Sequence, residues 1–438
     1  MAADPNTQTL KQVWQDQYQR SHYKQPVFRV IAEEKMLSGK LKKGDTIHWS
    51  YMSDFYVENM GADGSYNTQA QTDTDETLVI NQVKDTSFYE FEKDLEQAHY
   101  AVKADYARKA MNKVFLQIDS DVLVAAYQGA STVVDNGTIT NGTSSGTPIT
   151  ITSGNVAAMF STALMQLQLN NVVYDPNLTF TKDVKLEKTT GMPVAIISPQ
   201  TYNALIMYLG GKVTVLGDKV SVSGHAGAFM NFNIFVSNAT PSTTAISITV
   251  NPTANDTFTI NGFVFTFVSS IGTTPGNILI GANAAATQTN IINALQAPFT
   301  TTSTYVAQAN TTANQVKLSN ITVAAFASNA STIVQGGIGT MLVTAVTLTG
   351  ANSIGGTASS TTTAATVIQH NIFGISRSVG IVLQKSPTLY VNPVSGKVGK
   401  DYVTWCYYGI KVFKYMTTQL LDVQILANSF SQPSTVTN

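Results

Sequence analysis

From Pro241 to Ala365 the chain runs 125 residues with two charged side chains, Asp256 and Lys317, while the other 313 residues hold the remaining 51. The segment is rich in Thr, Ser, Asn, Ala, Gly, Val and Ile, so its exposed faces are hydroxyls and amides and its strand propensity is high. It reads as a self-contained β-rich insert. The strand-like Asn233 to Asn238 precedes it and Val367 to Gly374 follows it, so removing it brings two halves of one other domain together. An exposed loop is where a fold accepts such a module without losing its core.

At 438 residues the chain suits two or three domains. Charged residues make up 12% and the net charge is −1, low for a lone soluble monomer and suited to a chain that covers much of its surface with copies of itself. Cys406 is the sole cysteine, which excludes an intrachain disulfide; between Trp405 and Tyr407 it reads as a buried strand residue. Met1 to Asn6 has no basic and apolar regions of a secretory signal, no apolar run reaches membrane-spanning length, and no cleaved propeptide is expected.

Residues 1–43 form an arm with a net +4. Between 44 and 84, the strand patterns Thr46 to Tyr51 and Glu76 to Val83 flank a turn-rich Gly61 to Asn67, which predicts a long hairpin. Seven acids, Asp45, Asp54, Glu58, Asp63, Asp73, Asp75 and Glu76, stand there against Lys84, a net −6. A two-stranded ribbon is not stable alone in water, and this one needs a basic partner surface. Leu95, Ala98, Val102, Tyr106, Ala110, Val114, Ile118 and Val122 recur at helical spacing, Ser87 and Glu90 have capping-box spacing, and Gly129 is the stop, predicting a strut helix of about 35 to 40 residues.

Beyond a Gly/Thr/Ser/Asn loop at 130–154, the pattern predicts a helix from Val156 to Asn171, a buried strand from Pro193, a helix from Gln200 to Leu209, and strands at 220–224 and 232–236. Inside the insert, Asn261-Gly262 marks a hairpin and Asn283 caps a helix through Gln296, with Ile292 and Leu295 facing in. Strands are expected near 304–309, 314–318 and 340–348, then a flexible return linker from Ser353 to Thr363. Ser378 to Leu383 and Val403 to Val412 alternate as sheet strands, and residues 366–438 carry a net +4.

Chemistry is sparse. His22, His48, His99, His225 and His370 are scattered without metal-ligand spacing and read as packed or solvated side chains. Gly210-Gly211-Lys212 and Gly217-Asp218-Lys219 lack phosphate-loop spacing, and Ser223-Gly224-His225-Ala226-Gly227 lacks the order of a nucleophile elbow. No catalytic, cofactor or metal site is expected, and no nucleic-acid-reading motif appears.

The order of parts is an arm, an acidic hairpin, a strut helix, a mixed body and a basic sheet return. It resembles the major capsid protein of tailed double-stranded DNA bacteriophages, the Hong Kong 97-type coat fold. The resemblance rests on Gly44 to Ile47, Phe91 to Leu95, Ile118 to Leu123, Ile234 to Asn238 and Tyr408 to Val412, and covers nearly all of the chain outside the insert. It implies an α+β fold with an N-terminal arm (1–43), an extended hairpin loop (44–84), a peripheral domain with the spine helix (85–154) and an axial domain (155–240). The β-rich insert (241–365), an axial return (366–385) and peripheral C-terminal strands and tail (386–438) complete it.

The resemblance further implies hexamers and pentamers of an icosahedral shell, scaffolding, portal and decoration proteins as partners, and non-specific contact with packaged double-stranded DNA. The place implied is the virion, after assembly in the host bacterial cytoplasm, with no membrane. No crosslinking Lys, Asn and Glu align. The hairpin acids are expected to meet Lys397, Lys400, Lys411 and Lys414 of a neighbouring subunit. The rival readings are a secreted or tail-fibre adhesin, which Thr/Ser-rich β modules would also suit, and then an enzyme.

Overall fold

The structure, a computed structural model, describes residues 26–34, 46–91, 102–170, 172, 193–212, 227–318, 320–337, 341–360, 365–394, 396 and 398–427. Expectations for the arm before residue 26, the strand at 220–224, the turn at 217–219, and His22, His99 and His225 lie outside them.

Pro193–Ile197 is apolar at every position and buried at every position, which requires cover on both faces of its sheet. It pairs antiparallel with Ile368–Ile375 and parallel with Phe232–Val236, and Ile368–Ile375 pairs on its other side with Leu420–Leu426. Strand alternation divides these side chains between two cores. Ala195, Ile197 and Phe373 join Phe160, Leu205 and Phe232 beneath the helices Val156–Leu169 and Pro199–Gly210. Ile196 and Ile372 join Ile118, Val122 and Ala126 of the long helix Val102–Gly129 on the other face. The Pro199 helix starts as the sequence dictates: Ser198 caps it by accepting from Thr201 N, and Pro199 takes the first turn.

The long helix also backs a second sheet, in which Gly399–Lys411 lies between Val379–Pro393 and Gln82–Phe91. Tyr402, Cys406 and Tyr408 alternate onto the buried face, and Tyr408 donates to Asp121 Oδ2 of the helix at 2.6 Å. Here the sequence expectation fails. Ser87 and Glu90 are not a helix cap; they sit in Gln82–Phe91, whose period-two burial matches its residue-by-residue pairing with Gly399–Tyr408. Ladder hydrogen bonds and the stacked Phe88–Tyr402 rings outweigh the local capping preference. The described helix has 28 residues, roughly 40 Å, and the segment 92–101 that would lengthen it lies outside the described residues.

The segment 130–154 is also more ordered than a loop. Thr132–Val134 pairs with Leu421–Val423, and Asn136–Asn141 is a helix capped by Asp135.

Within the insert, Thr257–Ile260 and Phe263–Val268 form the expected hairpin, with Asn261 and Gly262 at φ 51° and 86°, the left-handed pair its two-residue turn requires. Phe258, Phe265, Phe267 and Tyr305 pack under the helix Ala284–Gln296, capped by Asn283 as expected; Ile291 and Leu295 are buried and Ile292 is half-buried. Three expectations are corrected. Residues 312–318 are helical, because Thr311 Oγ1 accepts from Asn314 N and Leu318 alone of Gln315–Leu318 is buried, so no strand face exists. Around 304–309 there is one bridge, Ile278 to Tyr305, and no strand. The return segment is held rather than free, since Ser353–Ile354 pairs with Ile246–Ser247 and Ser359–Ser360 with Val346–Thr347.

The boundary at 241 is crossed by hydrogen bonds. Ser242–Ser247 pairs with Ala330–Gln335 inside the insert and, through Ser242 and Thr243, with Gln369 and Ile368 of the body. The insert therefore has its own hydrophobic core but extends the body's sheet, a continuity that turn and composition signals do not encode.

Candidate assembly interface

The hairpin is anchored at its base and bare at its tip. Thr46–Met52 pairs with Asp73–Val79 over seven positions. Leu78 and Ile80 are buried against Val382 and Phe413 of the same chain. Tyr407 donates to Ile80 O at 2.7 Å and Lys411 Nζ to Thr77 O at 2.9 Å. Trp49 lies 5.5 Å from the Phe413 ring and Tyr51 5.4 Å from Tyr415, and Tyr415 donates to Met52 O at 3.0 Å.

This base brings three of the candidate residues together within one chain. Glu76 is 3.5 Å from Lys411 Nζ and accepts from the backbone N–H of Lys414 at 3.0 Å. A hydrogen bond with Tyr51 holds the Lys414 ammonium above its ordinary pKa, with the Glu76 carboxylate adding a smaller push. Asp75 faces His48 across the ribbon, and Asp73 ends it opposite Met52. Lys400 lies far along the second sheet opposite Glu90. Asp45 and Lys397 lie outside the described residues. Charge guided the sequence reading; the aromatic set Trp49, Tyr51, Phe413 and Tyr415 was missed, although two aromatics alternating on one strand signal a packing face.

Residues 53–72 extend past the paired strands. Asp54, Glu58 and Asp63 are exposed there, Asp63 held below the usual carboxylate range by hydrogen bonds from Ser65, and Glu58 accepting from Asn67 at 3.0 Å. Among them Phe55, Tyr56, Met60 and Tyr66 are 62 to 77% exposed and Val57 is fully exposed. So many large apolar side chains on one exposed tip mark a contact surface.

Elsewhere titratable groups are buried in packing roles. His370 Nδ1 faces both oxygens of Asp422 at 2.8 and 2.9 Å, its Nε2 faces Thr243 Oγ1 at 2.8 Å, and its ring stacks on Tyr127 at 4.2 Å. The order hydroxyl, imidazole, carboxylate matches a nucleophilic triad, but all three side chains are buried and neither cleft beside the long helix includes them, so the arrangement pins the insert's first strand to the body. Burial pushes the Cys406 thiol up to about 11, the opposite of an activated thiolate. Among the described residues no three metal-ligating side chains converge, and no helix is long and apolar enough to cross a membrane.

No family model and no curated protein matches the chain. Solved structures do. A structure of Mycobacterium phage Che8 covers 96% of this chain and 98% of its own at 12% identity, with a TM-score of 0.53. The capsid structure of the cyanophage P-SCSP1u covers 95% and 92% at 11% identity (TM-score 0.49), and the capsid of Ralstonia phage GP4 covers 99% of each chain at 8% identity (TM-score 0.46). Over nearly its whole length the chain shares the mixed α and β fold of the Mycobacterium phage Che8 structure. The adhesin reading gains no support from these structures.

Proposed function

We infer that this chain is the structural major capsid protein of a tailed double-stranded DNA bacteriophage, self-assembling into the icosahedral head that encloses the genome. The observation that carries the reading is a fold shared over nearly the whole chain with a phage structure, together with a hairpin rooted on its own body and ending in an exposed apolar, acidic tip. A tip of that kind marks a surface that another molecule covers, and on this reading a second copy supplies the cover. On this reading hexamers and pentamers form from the same chain, scaffolding, portal and decoration proteins are its partners in assembly, and packaged DNA meets it without sequence specificity.

The parts then take the Hong Kong 97-like roles of arm, extended loop, peripheral and axial domains, with 241–365 as the inserted domain. Asp54, Glu58 and Asp63, with Asp73 and Asp75 behind them, are the acids that reach a neighbouring copy, while Glu76, Lys411 and Lys414 hold the loop's root. The insert faces outward, because 125 residues pointing inward would take volume from the genome. Negative-stain microscopy of the purified full chain and of its native source tests the reading. Closed shells are expected; fibres or small discrete particles from both would overturn it.

A further inference from the structure

On the long helix Ser120, Val124 and Tyr127 follow one another at spacings of four and three residues, which sets them along one face about two turns long. The insert meets that face directly at its first residue. The strand Ala330–Gln335 runs into Gly336 and Gly337, and a Cβ on Gly336 would lie 2.4 Å from Ser120 Oγ and 3.0 Å from Val124 Cγ2. A Cβ on Gly337, which has φ 81°, would lie 3.0 Å from Ser120 Cβ. Residues without side chains let the turn come this close to the helix. Ser120 Oγ is buried in the contact with no hydrogen-bond partner among the described residues, so shape and not polarity holds it.

The last residue of the face is met through the body. Tyr127 stacks on His370 at 4.2 Å, and His370 faces Thr243 Oγ1 at 2.8 Å. Thr243 lies on the strand Ser242–Ser247, which pairs with Ala330–Gln335, Ser242 opposite Gln335 and Thr243 opposite Val334. The contacts therefore close a ring, from Ser120 to Gly336, across the ladder to Thr243, through the imidazole and back to the helix at Tyr127. No part of such a ring moves alone. Sliding the insert's strands along the helix drives the Gly336 backbone into Ser120 or opens a void beside it, and in the same motion draws Thr243 off a buried His370.

We propose that the insert is a clamp on the last turns of the long helix, so that order in the strand Ser242–Ser247 and order in helix residues 116–129 rise and fall together. Coupling of this kind is reciprocal: loosening the insert's seat loosens the helix, and loosening the helix face loosens the strand. Its reach extends to the second sheet, because the clamped stretch includes Asp121, which accepts from Tyr408 of the strand Gly399–Lys411 at 2.6 Å. A molecule that rigidifies the insert would on this account also rigidify the helix and that sheet. The proposal concerns one subunit and does not rest on the shell reading.

Hydrogen exchange of the full chain, followed by mass spectrometry at a concentration where all variants sediment alike, tests it. Gly336→Ala is expected to speed exchange across residues 116–129 several-fold. Adding Ser120→Ala should restore protection, because the two Cβ atoms would then stand 3.7 Å apart with no hydroxyl between them. In the reverse direction, Tyr127→Leu is expected to speed exchange across residues 242–247 several-fold. Asn283→Ala, which removes the cap of the insert's helix away from this seam, is the control and should loosen residues 284–296 while leaving 116–129 as protected as before. If Gly336→Ala fails to fold, Thr243→Val, close to the native residue in shape, carries the same expectation for 116–129. Unchanged exchange of the helix when the seat is altered, unchanged exchange of the strand in Tyr127→Leu, or equal loosening of the helix in Asn283→Ala would each overturn the clamp.

Discussion

Asp135 shows how much a single side chain can organise where composition suggests a loop. Its carboxylate caps the helix Asn136–Asn141 through Thr138 N at 2.9 Å and also accepts from Thr138 Oγ1, Ser144 Oγ, Ser145 N and Gly146 N at 2.6 to 2.9 Å. Burial alone would push this acid up, but the converging donors outweigh it and hold it at about 2. Because the folded value lies below the ordinary 3.8, the stabilisation is complete above that pH and is lost as pH falls from about 4 towards 2. Asp135→Asn keeps one acceptor and turns an amide donor toward donors. It is expected to cost about 2 kcal/mol at pH 7 and to flatten the acid limb of the stability curve, measured by denaturant titration across pH. An unchanged acid limb would show that these contacts do not form. The sequence offered Asp135 followed by a Gly/Thr/Ser run, and nothing local distinguishes a cap held by distant donors from a solvated loop.

At the scale of elements, legibility followed how local the deciding interaction is. The Asn261-Gly262 hairpin, the Ser198-Pro199 helix start and the Asn283 cap were readable because each is decided within four residues. Ser87 and Glu90 misled because their strand is decided by Gly399–Tyr408, some 310 residues away. The hairpin 44–84 was readable as a ribbon, but its seat on its own chain was not, since the signal is a missing side chain. A Cβ on Gly409 would lie 2.6 Å from Val79 O and 3.0 Å from Ile80 Cα, backbone atoms that cannot yield without lifting the hairpin root. Gly409→Ala is expected to leave the two body cores folded while loosening the root. Limited proteolysis should then cut between residues 46 and 80 several-fold faster than in the unmodified chain, and closed-particle yield should fall. Equal cleavage rates would mean that the root is not seated on Gly409.

For the whole molecule, the charge desert marks a segment with a hydrophobic cluster of its own, and a sheet ladder crosses the boundary that composition suggests. The two body cores contain no residue between 241 and 365, and the insert's own cluster draws on Val367 and Ala427 beyond its boundary. Yet the sheet runs through Ser242 and Thr243 into Ile368 and Gln369, and Thr243 supplies the hydroxyl on His370. Composition reports what a segment's surface meets; it does not report where a sheet ends, because a ladder uses backbone groups that every residue carries. Replacing 241–365 with a short Gly/Ser bridge should therefore leave a body that folds, because its cores are complete, but with a lower Tm, because the Ile368 edge loses its neighbour and the buried imidazole loses a partner. In the full chain, Thr243→Val isolates the second loss and should cost about 1 to 3 kcal/mol, the range for leaving a buried polar atom unsatisfied. Thermal melts of both variants decide the matter. A deleted chain with no cooperative transition would make the insert an integral layer of the body's fold, whereas a deleted chain as stable as the full one would make the shared ladder inconsequential.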